Sequence, residues 1–105
     1  MITQNLIVQM EDADWNSVEE MPGLRYKFLI DANHTDSRGL SLGALEVATG
    51  AVLPPHHHAP QEIYLFYSGG GEVILGDDVH AVKPGTAVFI PEHCGHGLIN
   101  KSTEP

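Results

Sequence analysis

Residues 50–70 read GAVLPPHHHAPQEIYLFYSGG, and the three consecutive histidines followed by a single glutamate decide how the rest of the chain is read. Side chains of an extended strand alternate between faces, so His56 and His58 share one face and His57 points to the other. Successive same-face positions lie roughly 6.6 Å apart at the backbone, a gap that two imidazoles close by leaning toward one ion. Glu62 follows four residues later, after APQ has ended one segment and begun the next, so a neighbouring strand can bring its carboxylate to the same ion. His96 is a candidate fourth ligand. Tyr64 lies two residues beyond Glu62 on the same strand and faces the same interior, as does Phe66. Spacing by itself leaves two readings open, a metal site and a solvated histidine-rich loop.

Outward from this stretch, turn chemistry recurs at short intervals: MPG at 21–23, DSRG at 36–39, ATG at 48–50, SGGG at 68–71, GDD at 76–78, KPG at 83–85 and PEHCG at 91–95. Between these lie runs rich in β-branched and aromatic residues, at 24–30, 40–47, 62–67, 72–75, 79–82 and 86–90. Strands at this spacing predict an all-β sandwich or barrel. A turn or two of helix is expected only within residues 11–20, EDADWNSVEE. The SGGG run lacks a following GK[ST], so it reads as a hairpin turn and not as a phosphate loop.

The chain has 105 residues, enough for one small core, and its composition is 42% hydrophobic and 18% charged, the balance of a globular protein. A core of this size favours burial of one face in a homodimer. Five basic residues against fourteen acidic ones give a formal charge of -9, which repels nucleic acid and anionic membranes. The start, MITQNLIVQMEDADW, has no basic n-region and its apolar residues break off into acids, so no signal peptide is expected. No apolar run reaches the ~20 residues of a membrane span, and a soluble, cytoplasmic protein is the expectation. A single cysteine, Cys94, forms no internal disulfide and reads as a small loop residue. His34, His57 and His80 read as packing or surface histidines, and His93 as a surface or pocket-rim residue.

The stretch at 50–69 also fits the first cupin motif, with Gly50, His56, His58, Glu62 and Gly69 at its fixed positions. The second cupin motif falls on GTAVFIPEHCGHGLIN (85–100), where Gly85, Pro91, His96 and Asn100 match and His93 stands where glycine is expected. The chain therefore resembles a single-domain cupin, a small antiparallel jelly-roll-like β-barrel spanning residues 1–105 with an N-terminal arm at 1–23. The resemblance implies that His56, His58, Glu62 and His96 hold one divalent transition metal. Imidazoles with a carboxylate suit Fe, Mn, Ni, Zn or Co, and four protein ligands leave two places of six for water or substrate. Asn100, at its motif position, is expected to support the turn or the sheet and not the metal.

PGLRYKFLIDAN (22–33), GLSLGALEV (39–47) and PQEIYLF (60–66) are similar to the small cupin lyases of marine bacteria that cleave dimethylsulfoniopropionate to dimethyl sulfide and acrylate. That resemblance implies a small-molecule carboxylate as substrate and Tyr64 as the catalytic base that removes the proton alpha to it. One departure stands out: only KSTEP follows Asn100, whereas those lyases continue through a further strand that carries pocket aromatics. Because cupins host many chemistries, an Fe(II) dioxygenase and a non-catalytic binding or sensing module are the alternatives. Parity places Tyr26, Phe28, Leu40, Leu42 and Ala44 on the inner wall with Tyr64 and Phe66, and a slip of one residue over 24–47 would exchange every one of them for its neighbour.

Overall fold

The computed structural model describes residues 6–105; the first five residues of the expected N-terminal arm, where any leader would begin, lie outside the described residues. The chain runs β1 (Asn16–Ser17), β2 (Leu24–Ile30), α1 (Ala32–Thr35), β3 (Leu42–Val47), β4 (Val52–His56), β5 (Glu62–Leu65), β6 (Gly71–Leu75), β7 (Asp78–Val82), β8 (Ala87–Ile90) and β9 (His96–Asn100). Every pairing is antiparallel. The strands make a three-stranded sheet β1-β2-β3, a four-stranded sheet β4-β9-β6-β7 and a two-stranded ribbon β5-β8. Together these form the small antiparallel β-barrel expected of the sequence. Its core is a single cluster of Leu24, Leu53, Val73, Val82, Val88, Ile90 and Leu98, in which Ile90 and Val73 are essentially fully buried. Among the described residues no helix is long and apolar enough to cross a membrane.

The expected strands at 24–30, 40–47, 62–67, 72–75, 79–82 and 86–90 all form, with ends displaced by at most two residues. Of the three further strands, β1 lies in the N-terminal arm and β4 and β9 carry no such signal. β4 is VLPPH, and a proline pair lacks the amide donors of a central strand. It is tolerated because β4 is an edge strand paired only with β9. The register jumps between Leu53 and His56, so the prolines occupy an irregularity that resets the strand in time for His56 to pair with His96. β9 contains Gly97, where a Cβ would meet the Leu53 carbonyl oxygen at 2.8 Å. Its glycine marks a close approach of two strands and not a turn.

The helix expected within residues 11–20 does not form. That segment holds a 3-10 turn at Met10–Asp12 and the two residues of β1. The arm is laid along β2 instead: Lys27 is only 5% exposed, its ammonium donates to the Met10 carbonyl at 2.6 Å, and Trp15 lies 4.3 Å from both the Arg25 guanidinium and the Lys27 ammonium. Tertiary cation–π contacts override a weak local propensity. The single α-helical turn lies elsewhere, at Ala32–Thr35, where the Asp31 side chain accepts from the His34 amide at 2.9 Å and a left-handed Asp36 ends it.

The register also corrects the wall assignment. Tyr26 pairs with Leu45, Phe28 with Gly43 and Lys27 with Ala44. Cross-strand partners share a face, so Ala44 belongs to the face of Lys27, under the N-terminal arm, and Leu45 replaces it on the inner wall. Leu42 returns to the face of Ile30 through an irregularity between Phe28 and Ile30. Leu40 lies outside the strand and is 74% exposed. Tyr64 and Phe66 do pack against the core from within.

Candidate metal centre

Three strand ends and one loop converge at the site. His56 ends β4, Glu62 opens β5 and His96 opens β9, while His58 sits in the loop joining β4 to β5. The ring centroids of His56 and His96 are 4.2 Å apart, those of His58 and His96 5.0 Å, and those of His56 and His58 5.9 Å. One ring nitrogen from each of the three lies within 4.8 Å of the others. Glu62 Oε1 stands 3.1 Å from His58 Nε2 and 3.3 Å from His96 Nε2. His96 forms the floor, with a fully buried side chain, and Glu62 sits at the mouth, 39% exposed.

The proton positions on the three rings follow from their backbone partners. His56 Nδ1 lies 2.9 Å from the Pro54 carbonyl, His58 Nδ1 2.8 Å from the Pro60 carbonyl, and His96 Nδ1 3.0 Å from the Cys94 carbonyl. A carbonyl only accepts, so each Nδ1 carries the hydrogen, and in the neutral ring each Nε2 presents a lone pair. Two of those nitrogens face a carboxylate oxygen, and with the rings neutral that is acceptor against acceptor, which a proton or a metal cation between them resolves. The buried His96 Nε2 has no hydrogen-bond partner among the described residues, because its contact with Glu62 is close but not aligned as a bond. A buried polar nitrogen without a partner is costly. Three neutral imidazoles and one carboxylate, with their outer nitrogens already fixed, are the donor set a divalent transition ion takes. The residues present fit such an ion.

Tyr64 adjoins this group, its ring centroid 5.9 Å from that of His96 and 6.2 Å from that of Phe66. Burial, and after it the negative charge of Glu62, push the Tyr64 phenol well above its ordinary pKa. Both causes penalise the phenolate. Positive charge placed between the histidines and Glu62 opposes the second of them.

The loop Pro91–Gly95 ties the histidine cluster together. The Cys94 amide donates to the Pro91 carbonyl at 3.2 Å, and His93 is left-handed at φ 61° while Glu92 is not, which defines a type II turn. The position where glycine was expected thus keeps the glycine conformation with an imidazole on it. From this turn the His93 amide donates to the His58 carbonyl at 2.8 Å, and the Cys94 carbonyl orients His96. Sequence reasoning missed the carbonyls of Pro54, Pro60 and Cys94, which act through the main chain and leave no side-chain signature.

The left-handed His93 makes a stability prediction. His93→Gly keeps the turn and relieves strain of about 1 kcal/mol, partly offset by a freer unfolded chain, whereas His93→Val loses ~2 kcal/mol because a branched side chain is excluded from this region. Urea unfolding should place the glycine variant at or above the parent midpoint and the valine variant clearly below it. Equal midpoints for the two variants would contradict the argument.

The remaining histidines lie apart from the cluster of three. His34 pairs with Asp31 at 2.6 Å on the surface, and His57, His80 and His93 are exposed. The Asn100 amide donates to the carbonyls of Val47 and Glu104 at 2.8 and 2.7 Å, so it braces β3 and the tail, as expected.

Comparison with known proteins agrees with this geometry. The Cupin_2 profile of cupin domains matches residues 43–105. A dimethylsulfoniopropionate lyase, DddW of Ruegeria pomeroyi, is 34% identical over 76 residues, which cover 72% of this chain and 50% of that protein. The chain therefore spans about half the length of this curated relative. Among solved structures, KdgF from Halomonas sp. superimposes with a TM-score of 0.80 at 26% identity, over 93% of this chain and 84% of its own. The polyketide cyclase RemF from Streptomyces resistomycificus gives a TM-score of 0.80 at 27% identity, over 93% and 71%.

Proposed function

This chain belongs to the cupin domain family, and from that premise we propose that it is a metal-dependent lyase acting on a small carboxylate, with residues 1–105 as one cupin domain. His56, His58, Glu62 and His96 hold one divalent ion, drawn from Fe, Mn, Ni, Zn and Co. The observation that carries this reading is the buried, unpartnered His96 Nε2 beside two further imidazoles whose Nδ1 hydrogens are already committed. An ion held there supplies a Lewis acid that fixes a substrate carboxylate and acidifies the adjacent carbon.

The chain's own groups do the rest. Tyr64, on the same strand face as Glu62, takes the α-proton onto its phenolate oxygen. The released pair forms the Cα–Cβ double bond, and with dimethylsulfoniopropionate the Cβ–S bond breaks with its electrons going to sulfur. Acrylate and dimethyl sulfide result, and the phenol returns its proton to water. Tyr64 and Phe66, packed against the core beside His96, give the site its apolar side and limit water there. Support for this substrate comes from the DddW relative.

The upward shift of the Tyr64 phenol favours a second reading, a cupin that binds a small ligand without turning it over. The two separate in one experiment. Protein loaded in turn with Fe, Mn, Ni, Zn and Co is given dimethylsulfoniopropionate, and headspace dimethyl sulfide and dissolved acrylate are measured. Equimolar products are the expected result; binding without product from any of the five would leave the binder.

A further inference from the structure

A cleft of about 690 Å³ opens between the N-terminal arm, β2 and α1, and it shares no residue with the histidine cluster. Small-molecule sites fall in the same range, roughly 300–1,000 Å³. The arm contributes Asp12 and Asp14, β2 contributes Phe28 and Leu29, and α1 contributes Asn33 and His34. The arm side is fixed before any ligand arrives. The buried Lys27 ammonium donates to the Met10 carbonyl at 2.6 Å and to the Ala13 carbonyl at 3.5 Å, on either side of Asp12.

The charged groups here are acceptors. Lys27 turns its own charge to those carbonyls and to the Trp15 ring, and among the described residues neither Asp12 nor Asp14 is in an ion pair. Asp31 stands 2.6 Å from His34 Nδ1 and takes its hydrogen, which in the neutral ring leaves Nε2 as a further acceptor. Phe28, 48% exposed, adds a ring whose face attracts a cation. An anion would meet two carboxylates on a chain that already carries -9.

We propose that this cleft binds a small organic cation, an ammonium with an apolar body. The carboxylates of Asp12 and Asp14 meet its charge, and Phe28 and Leu29 meet its body. Since the cleft and the histidine cluster have no residue in common, the cation binds whether or not an ion fills that cluster.

Phenethylammonium, titrated into the isotope-labelled chain at ~0.15 M salt and followed by amide chemical shifts, tests this. Saturable shifts confined to residues 7–16 and 28–34 are expected, with a Kd on the order of 1 mM or tighter. Phenethyl alcohol, the same body without the charge, should bind at least ~10-fold more weakly. Asp12→Asn/Asp14→Asn should weaken the ammonium at least ~10-fold with an unchanged far-UV spectrum. Should that variant not fold, Asn33→Lys, at an exposed position of α1, sets a competing cation in the cleft and should weaken it as much. Glu19→Gln/Glu20→Gln removes two exposed acids outside the cleft and should leave the affinity unchanged. The absence of saturable shifts, shifts spread over the acidic surface, or the alcohol binding as tightly as the ammonium would each overturn the proposal. So would affinity retained by the folded cleft variants, or lost equally in Glu19→Gln/Glu20→Gln.

Discussion

The His56→Ala/His58→Ala variant should come through purification without chelator or affinity metal holding no transition ion, and the parent chain should carry about one ion per chain. The expectation follows from where the lone pairs point. With Nδ1 of His56, His58 and His96 each bonded to a carbonyl, no histidine can turn its ring to serve another partner without breaking that bond. Removing two of the three leaves Glu62 and His96, too few donors to hold an ion against dialysis, and the affinity should fall by well over ~100-fold, beyond what loss of an outer partner costs. Elemental analysis by mass spectrometry reads the outcome. Metal retained by the double variant, or a parent chain that refuses all five added ions, would end the metal reading.

Tyr64→Phe should abolish elimination while sparing the ion. Phenylalanine keeps the ring that packs against Phe66 and His96 and removes only the hydroxyl. A positioned base contributes on the order of 10²- to 10⁴-fold to a rate, and turnover at saturating dimethylsulfoniopropionate should fall by about that much with metal content unchanged. A rate within a few-fold of the parent would remove Tyr64 from the chemistry and leave the metal site standing. Loss of both rate and ion would instead make the hydroxyl a support of the site.

The strands were legible because each rests on side-chain chemistry repeated at a short period, and the grouping of His56, His58 and His96 because the two cupin motifs the sequence resembles fall on them. His56 ends β4 and Glu62 opens β5, with His58 in the loop between them and not in the strand alternation expected of it, and β2, β3, β5, β6, β7 and β8 announce themselves by β-branched and aromatic runs. β4 and β9 were hidden because Pro54, Pro55 and Gly97 are strand breakers everywhere except at an edge or a close crossing, and only the assembled sheet supplies those settings. The slip from Ala44 to Leu45 has the same origin. Parity along one strand says nothing about which face meets a neighbour, and the pairing of Tyr26 with Leu45 decided it. Trp15 could not be read as an anchor from EDADWNSVEE, since its partners Arg25 and Lys27 lie ten and twelve residues away.

The two prolines of β4 matter beyond the placing of His56. An edge strand offers a row of free amides and carbonyls on which another chain can begin to grow a sheet, the route by which β proteins aggregate. β4 is such an edge, and Pro54 and Pro55 have no amide hydrogen to offer. The strand that brings His56 to the histidine cluster therefore also leaves that border of the sheet with few amides to template on, so a segment shaped to place one side chain doubles as a guard against fibril-like growth.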